Sequence, residues 1–152
     1  MAGSMEKALA VVKDSESAKR LVREAGELAA DTDAAIIALY ITTKKKYKAN
    51  RKSLEQVPGI ETAYTKKKAL EGAQQFAADI CREVLGDIDI EYESIGRIGN
   101  ESEEILTVAD IHGCDHIFLT GKKRTPAGKA MFGDSTQSVI LNFDGMVTVV
   151  TG

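Results

Sequence analysis

The sequence predicts an α/β protein built as a doubly wound parallel sheet with helices on both faces. Short apolar runs without alternation, "ALAVV" (Ala8 to Val12), "AAIIALYI" (Ala34 to Ile41) and "HIFLT" (His116 to Thr120), suit strands buried on both faces. Between them lie segments whose apolar residues recur at spacings of three and four, the mark of amphipathic helices. The two patterns alternate along the chain, and that order builds parallel strands joined by right-handed crossovers.

The first strand, Ala8 to Val12, is followed by Asp14 or Ser15 as helix cap and by one apolar stripe: Ala18, Leu21, Val22, Ala25, Leu28 and Ala29, ending near Ala30. The second strand is Ala34 to Ile41, and the basic stretch behind it, with Pro58 and Gly59, reads as a long connection. A second stripe runs through Ala69, Leu70, Ala73, Phe76, Ala77, Ile80, Val84 and Leu85, and Gly86 stands where a left-handed residue ends a helix. "IDIEYESI" (Ile88 to Ile95) alternates apolar and polar, so it is a third strand with one exposed face, placed at a sheet edge. Asn100 with Glu103 three residues on fits an N-cap with a reciprocal partner, and Glu101, Glu103 and Glu104 complement the positive helix end. Ile105, Leu106, Val108 and Ala109 form that helix's apolar face, which ends near Gly113. After the fourth strand, His116 to Thr120, "LTGKKRTPAGKAMFGDSTQSV" leads into a helix carrying Val139, Ile140 and Phe143. "MVTVV" (Met146 to Val150) is the fifth strand.

At 152 residues and 43% hydrophobic, the chain has the size of one domain with a real core. Met-Ala-Gly-Ser ahead of Met5 reads as an expression scar, leaving residues 5–152 as the domain. No run approaches a bilayer span and the start lacks the order of a signal peptide, so a cytoplasmic protein with no membrane role is expected. Cys81 and Cys114 lie far apart with no His or Cys at ligand spacing, which argues for reduced thiols and against zinc or a disulfide framework.

The formal net charge of −3, the lack of Trp and an aromatic content of 5% argue against specific nucleic-acid binding. The spacing shows no Ser-His-Asp set, paired catalytic carboxylates or metal cluster, so no catalytic residue is assigned. His112 and His116 read as a helix-terminal cation and a strand-entry residue. Half of the twenty Lys and Arg residues fall in two segments: Lys44, Lys45, Lys46, Lys48, Arg51 and Lys52, then Lys122, Lys123, Arg124 and Lys129. With Lys13 these eleven cations emerge at the C-terminal rim of the sheet, where ligands of such folds bind, and they point to an anionic small molecule or an acidic protein partner.

"ALAVVKDSESAKRLVREAGELA", "SIGRIGNESEEILTVADIHGCDHIFLTG" and "FGDSTQSVILNFDGMVTVV" match, in order and spacing, the universal stress protein (UspA-like) family, which the chain resembles from residue 5 to 151. The resemblance implies a Rossmann-like, adenine nucleotide alpha hydrolase-like sheet whose five strands, ending in "MVTVV", run in the order 3-2-1-4-5. It also implies a role in the stress response and a homodimer paired through Met146, Val147, Thr148, Val149 and Val150. Met146 stands where the family's last strand usually opens with proline.

Family members that bind ATP carry glycine, two residues, glycine, nine residues, glycine, then Ser or Thr. Here Gly121 matches the first glycine, Arg124 replaces the second, Gly133 matches the third across a shorter loop, and Asp134 takes the hydroxyl position ahead of Ser135. The aspartate that recognises adenine or ribose aligns with Lys13, with Asp14 one step later. ATP bound in this way, with Mg²⁺ only in its company, would meet backbone N–H groups around Gly121, Gly133 and Ser135, aided by Lys122, Arg124 and Lys129. Ile41 and the Lys13/Asp14 turn would border base and ribose. Read from the residues alone, Gly133 supplies backbone freedom and Asp134 caps its helix, which leaves open a nucleotide-free partner-binding protein or a slow ATP-hydrolysing switch.

Overall fold

The computed structural model describes residues 5–56, 65–124 and 131–151. The four leading residues, Pro58, Gly59 and Lys129 lie outside that set, and for Lys123 and Arg124 the backbone alone is described. The elements are β1 (Lys7–Val11), α1 (Glu16–Thr32), β2 (Ala35–Thr42), α2 (Lys44–Glu55), α3 (Lys66–Leu85), β3 (Tyr92–Ile98), α4 (Glu101–Ile111), β4 (His116–Gly121), β5 (Lys123–Arg124), β6 (Met131–Phe132), α5 (Asp134–Asn142) and β7 (Met146–Thr151). Five strands make one parallel sheet, β3-β2-β1-β4-β7, which is the expected order once the small antiparallel β5–β6 pair is set aside.

Strand alternation divides the core in two. Ala8, Ala10 and Val12 face α1 and α3, meeting Leu21, Val22, Ala25, Ala77, Ile80 and Leu85. Leu9, Val11, Ile37 and Leu39 face the other way, onto Ile105, Val108 and Ala109 of α4 and Val139 of α5. One row of partners crosses the sheet at Leu9, which sits opposite Ile37 on one side and Ile117 on the other. At Gly96 a Cβ would lie 2.4 Å from Gln74 N and 2.6 Å from Ala73 Cβ, so the absence of a side chain on β3 is what lets α3 lie against it.

The helix starts follow the sequence. Ser15 caps α1 by accepting from Ala18 N at 3.1 Å, and Asn100 Oδ1 accepts from Glu103 N at 3.1 Å. Several expectations need correction. The basic stretch after β2 is a helix, α2, capped by Thr43; its six cations hide it because it has no apolar period and buries no residue. Gly86 is right-handed, with φ −60°, and the left-handed cap is instead Asp33, at φ 56° behind α1. β3 begins at Tyr92, since Ile88 and Ile90 pack on the α1–α3 core before the ladder starts. Leu28 and Ile140 fall outside their stripes, at 39% and 40% exposed.

His116 is more than a strand-entry residue. It is 4% exposed, stacks on Phe118 with centroids 4.3 Å apart, and hydrogen-bonds Thr148 Oγ1 at 2.7 Å, joining β4 to β7. Burial holds its imidazole below the ordinary value of 6.5, against a smaller upward pull from Asp115. The folded protein resists a proton that the unfolded chain accepts, so stability is lost as pH falls below about 6.5. Thermal melts between about pH 7 and pH 5 should show this decline, and His116→Gln should flatten it; an equal slope in the variant would exclude His116 as its source.

Both thiols are buried, and burial pushes Cys81 and Cys114 up to about 11. A thiol reagent at neutral pH should therefore leave the native protein untouched and titrate both cysteines once guanidinium unfolds it.

Candidate functional site

The strand order reverses between β1 and β4, and a crevice of about 700 Å³ opens there beyond their C-terminal ends. That volume lies in the range of small-molecule sites, roughly 300–1,000 Å³. Its walls come from four places: Lys13 to Ser15 and Ser17 at the start of α1, Glu101 at the start of α4, Thr120 to Lys122 at the end of β4, and Gly133 to Thr136 at the start of α5. Three helix N-termini thus converge on one space. Each brings backbone N–H groups and the positive end of a dipole.

The three ends are not equivalent. Ser15 and Asn100 close α1 and α4 with side-chain caps, whereas Gly133 caps α5 with none. Asp134 is the first residue of α5 and not its cap, and Gly133 has φ −63°, a conformation any residue adopts. The expected backbone freedom is therefore not what Gly133 supplies. Its lack of a side chain leaves the first-turn N–H groups of α5, at the crevice wall, without a side-chain acceptor from the cap.

Neighbouring contacts fix that helix end. Thr136 Oγ1 donates to Thr120 O at 3.3 Å and Gln137 Nε2 to Phe132 O at 2.8 Å, so α5 is tied both to β4 and to the β5–β6 pair. At Gly121 a Cβ would meet Val149 Cγ1 at 3.0 Å, Phe132 Cδ1 at 3.1 Å and Thr136 Cγ2 at 3.2 Å. Glycine there permits close approach of strand and helix. Arg124, in the second-glycine position, is paired through its backbone opposite Met131 in β5–β6.

Charge in the crevice differs from the expectation. Of the eleven cations only Lys13 and Lys122 line it among the described residues, beside three carboxylates, Asp14, Glu101 and Asp134. Lys13 Nζ meets Glu101 Oε1 at 2.9 Å, with the side chains 45% and 24% exposed. A pair so exposed contributes at most about 1 kcal/mol, so a ligand anion can displace Glu101 at small cost. The cations of α2 are elsewhere: Lys46 lines a separate cavity with Tyr40 and Thr42. Ile41 does not line the crevice; it packs on the core cluster of Leu9, Ile37 and Ile105.

Ser15, Ser17, Glu101, Thr120 and Thr136 belong to the walls but were not singled out as ligand-facing by sequence reasoning. Glu101 reads only as a dipole partner until the fold brings it to Lys13. The signal available for Ser15 and Ser17 was their place directly after the first strand.

The universal stress protein family model matches residues 5–151. UspA from Lactobacillus plantarum superimposes with a TM-score of 0.68 at 20% identity, over 97% of this chain and 99% of that one. A universal stress protein in complex with cAMP gives 0.61 at 13% identity, over 98% of each chain. The universal stress protein from Archaeoglobus fulgidus in complex with dAMP gives 0.58 at 20% identity, over 96% of this chain and 97% of that one. No curated protein matches the sequence.

Gly121→Val should crowd Val149, Phe132 and Thr136 together and cost about 1–3 kcal/mol in urea unfolding. A variant as stable as the parent would show that strand and helix can part there.

Proposed function

This chain belongs to the universal stress protein family, and on that premise we propose that it is a cytoplasmic stress-response module that binds a nucleotide by its phosphate. The observation that carries the reading is the side-chain-free N-terminus of α5, set beside Gly121 and Lys122 in a crevice with room for a nucleotide. The cAMP and dAMP complexes of two relatives with the same fold support adenine monophosphates as the ligand class.

In this reading the N–H groups of Ser135 and Thr136 and the Lys122 ammonium hold the phosphate, while Lys13, Asp14 and Ser15 border the ribose and base. Asp134 and Glu101 set the upper limit of negative charge. A single phosphate sits at α5 beside Asp134, but a triphosphate brings further charge toward the same carboxylates and needs Mg²⁺ to offset it. ATP is therefore the weaker ligand.

Isothermal titration should show AMP binding without Mg²⁺ and ATP binding more weakly. Asp134→Ser should raise ATP affinity about tenfold, the loss of roughly 1.4 kcal/mol of repulsion. Absence of saturable heat with AMP, cAMP and ATP alike would overturn the nucleotide reading.

Homodimerisation through β7 is proposed on separate grounds. β7 is the edge of the sheet, beside β4, and its first residue, Met146, is 61% exposed; Leu141, near the end of α5, is 79% exposed. Leu141→Lys combined with Met146→Lys should yield a monomer in sedimentation at micromolar concentration; a dimer that persists would place the interface elsewhere.

A further inference from the structure

A second cavity lies beside β2 and α3, apart from the crevice. The chain repeats one tetrapeptide, Thr43-Lys44-Lys45-Lys46 and Thr65-Lys66-Lys67-Lys68, and each copy starts a helix. Thr43 Oγ1 accepts from Lys46 N at 3.1 Å and Thr65 Oγ1 from Lys68 N at 3.2 Å, so α2 and α3 open alike. Three lysines in a helix's first turn oppose the dipole, which favours anions there. The same disfavoured arrangement occurs twice, and the fold brings both copies to one cavity of about 210 Å³, to which they contribute Lys46 and Lys68.

The cavity's polar lining consists of donors with protons to give. Lys46 Nζ donates to Tyr40 Oη at 2.6 Å and lies 5.3 Å from the ring centroid. Because the phenol oxygen accepts from Lys46, its own proton must seek another acceptor, and none is found among the described residues. Phe76 holds the Tyr40 ring in place, with centroids 4.5 Å apart. Thr42 is 4% exposed and lines the cavity, and its backbone oxygen accepts from Gly99 N at 3.0 Å. Asn50 completes the ring of donors, and no carboxylate is present among the lining residues. The crevice, by contrast, carries three.

Gly72 also forms part of the wall. A Cβ there would meet nothing within 4 Å, so packing does not demand glycine, although glycine inside a helix costs about 1 kcal/mol relative to alanine. The missing side chain keeps the space open.

We propose that the cavity between α2 and α3, where Lys46, Lys68, Tyr40, Thr42 and Asn50 converge, binds the phosphate dianion of a small phosphate monoester. Two ammonium groups match two negative charges, and hydroxyl and amide donors match the remaining lone pairs. The volume admits a phosphoryl group and little more, so the rest of the ligand lies outside. The site shares no lining residue with the crevice.

Titration with inorganic phosphate, glycerol 3-phosphate and a phosphoserine peptide at constant ionic strength, followed by ³¹P NMR and calorimetry, tests the site. Phosphate and glycerol 3-phosphate should saturate, and Lys46→Gln with Lys68→Gln should weaken both at least about tenfold. Gly72→Leu should block them sterically in a protein that still melts cooperatively. Lys48→Gln, on the exposed side of α2, should change nothing. Equal loss from Lys48→Gln would mean diffuse attraction to a basic helix and overturn the site, as would no saturable binding. Tighter binding of the peptide than of glycerol 3-phosphate would overturn the small-molecule assignment. AMP titrated into the same variants reads the crevice separately: a phosphate signal that survives the double lysine change but is competed away by AMP would move the anion to the crevice and leave the nucleotide reading standing.

Discussion

The whole arrangement depends on the burial of β1 between two neighbours in register. Ala8, Leu9 and Ala10 have no exposed surface, and each pairs both with β2 and with β4. Small residues at Ala8 and Ala10 let α1 and α3 approach one face, while Leu9 fills the other against α4. Once β1 is central, right-handed crossovers send the following helices to opposite faces, and their N-termini return to one rim. The crevice is a product of that topology before any side chain contributes chemistry.

Much of this was visible in the sequence because buried parallel strands write themselves as unbroken apolar runs. β1, β2 and β4 were legible for that reason, and so were the caps at Ser15 and Asn100, where a short polar side chain precedes an apolar stripe. α2 was not. Its helix rests on a threonine cap and an Arg51–Glu55 pair at 3.4 Å, and neither leaves an apolar period to find. The crevice was half legible: Gly121, Lys122 and Gly133 could be placed by motif, but Lys13 meeting Glu101 and Thr136 meeting Thr120 join segments distant in sequence. Ile41 packs on the core and is not among the crevice's lining residues; the face of β2 it takes is set by strand register, where a single step exchanges the faces.

The net charge of −3 conceals two cavities of opposite character. In the crevice, carboxylates outnumber ammonium groups among the described lining residues, and attraction for an anion comes chiefly from backbone N–H groups at α5. In the cavity behind β2 the attraction comes from side chains. Lysine, a flexible point charge, tolerates varied anions; fixed backbone donors select by geometry.

The helix N-termini show why the two cavities differ. α4 opens with Glu101, Glu103 and Glu104 behind an asparagine cap, so its dipole is answered within the chain. α5 opens with Asp134 but without a side-chain cap, so its dipole is only partly answered. α2 and α3 have threonine caps, yet both open with three lysines that add to the positive end. Lys46 and Lys68 line one cavity and bring two positive charges to it. The folded chain supplies no carboxylate there among the described lining residues to offset that charge, and an anion from outside does so while also accepting from the Tyr40 hydroxyl.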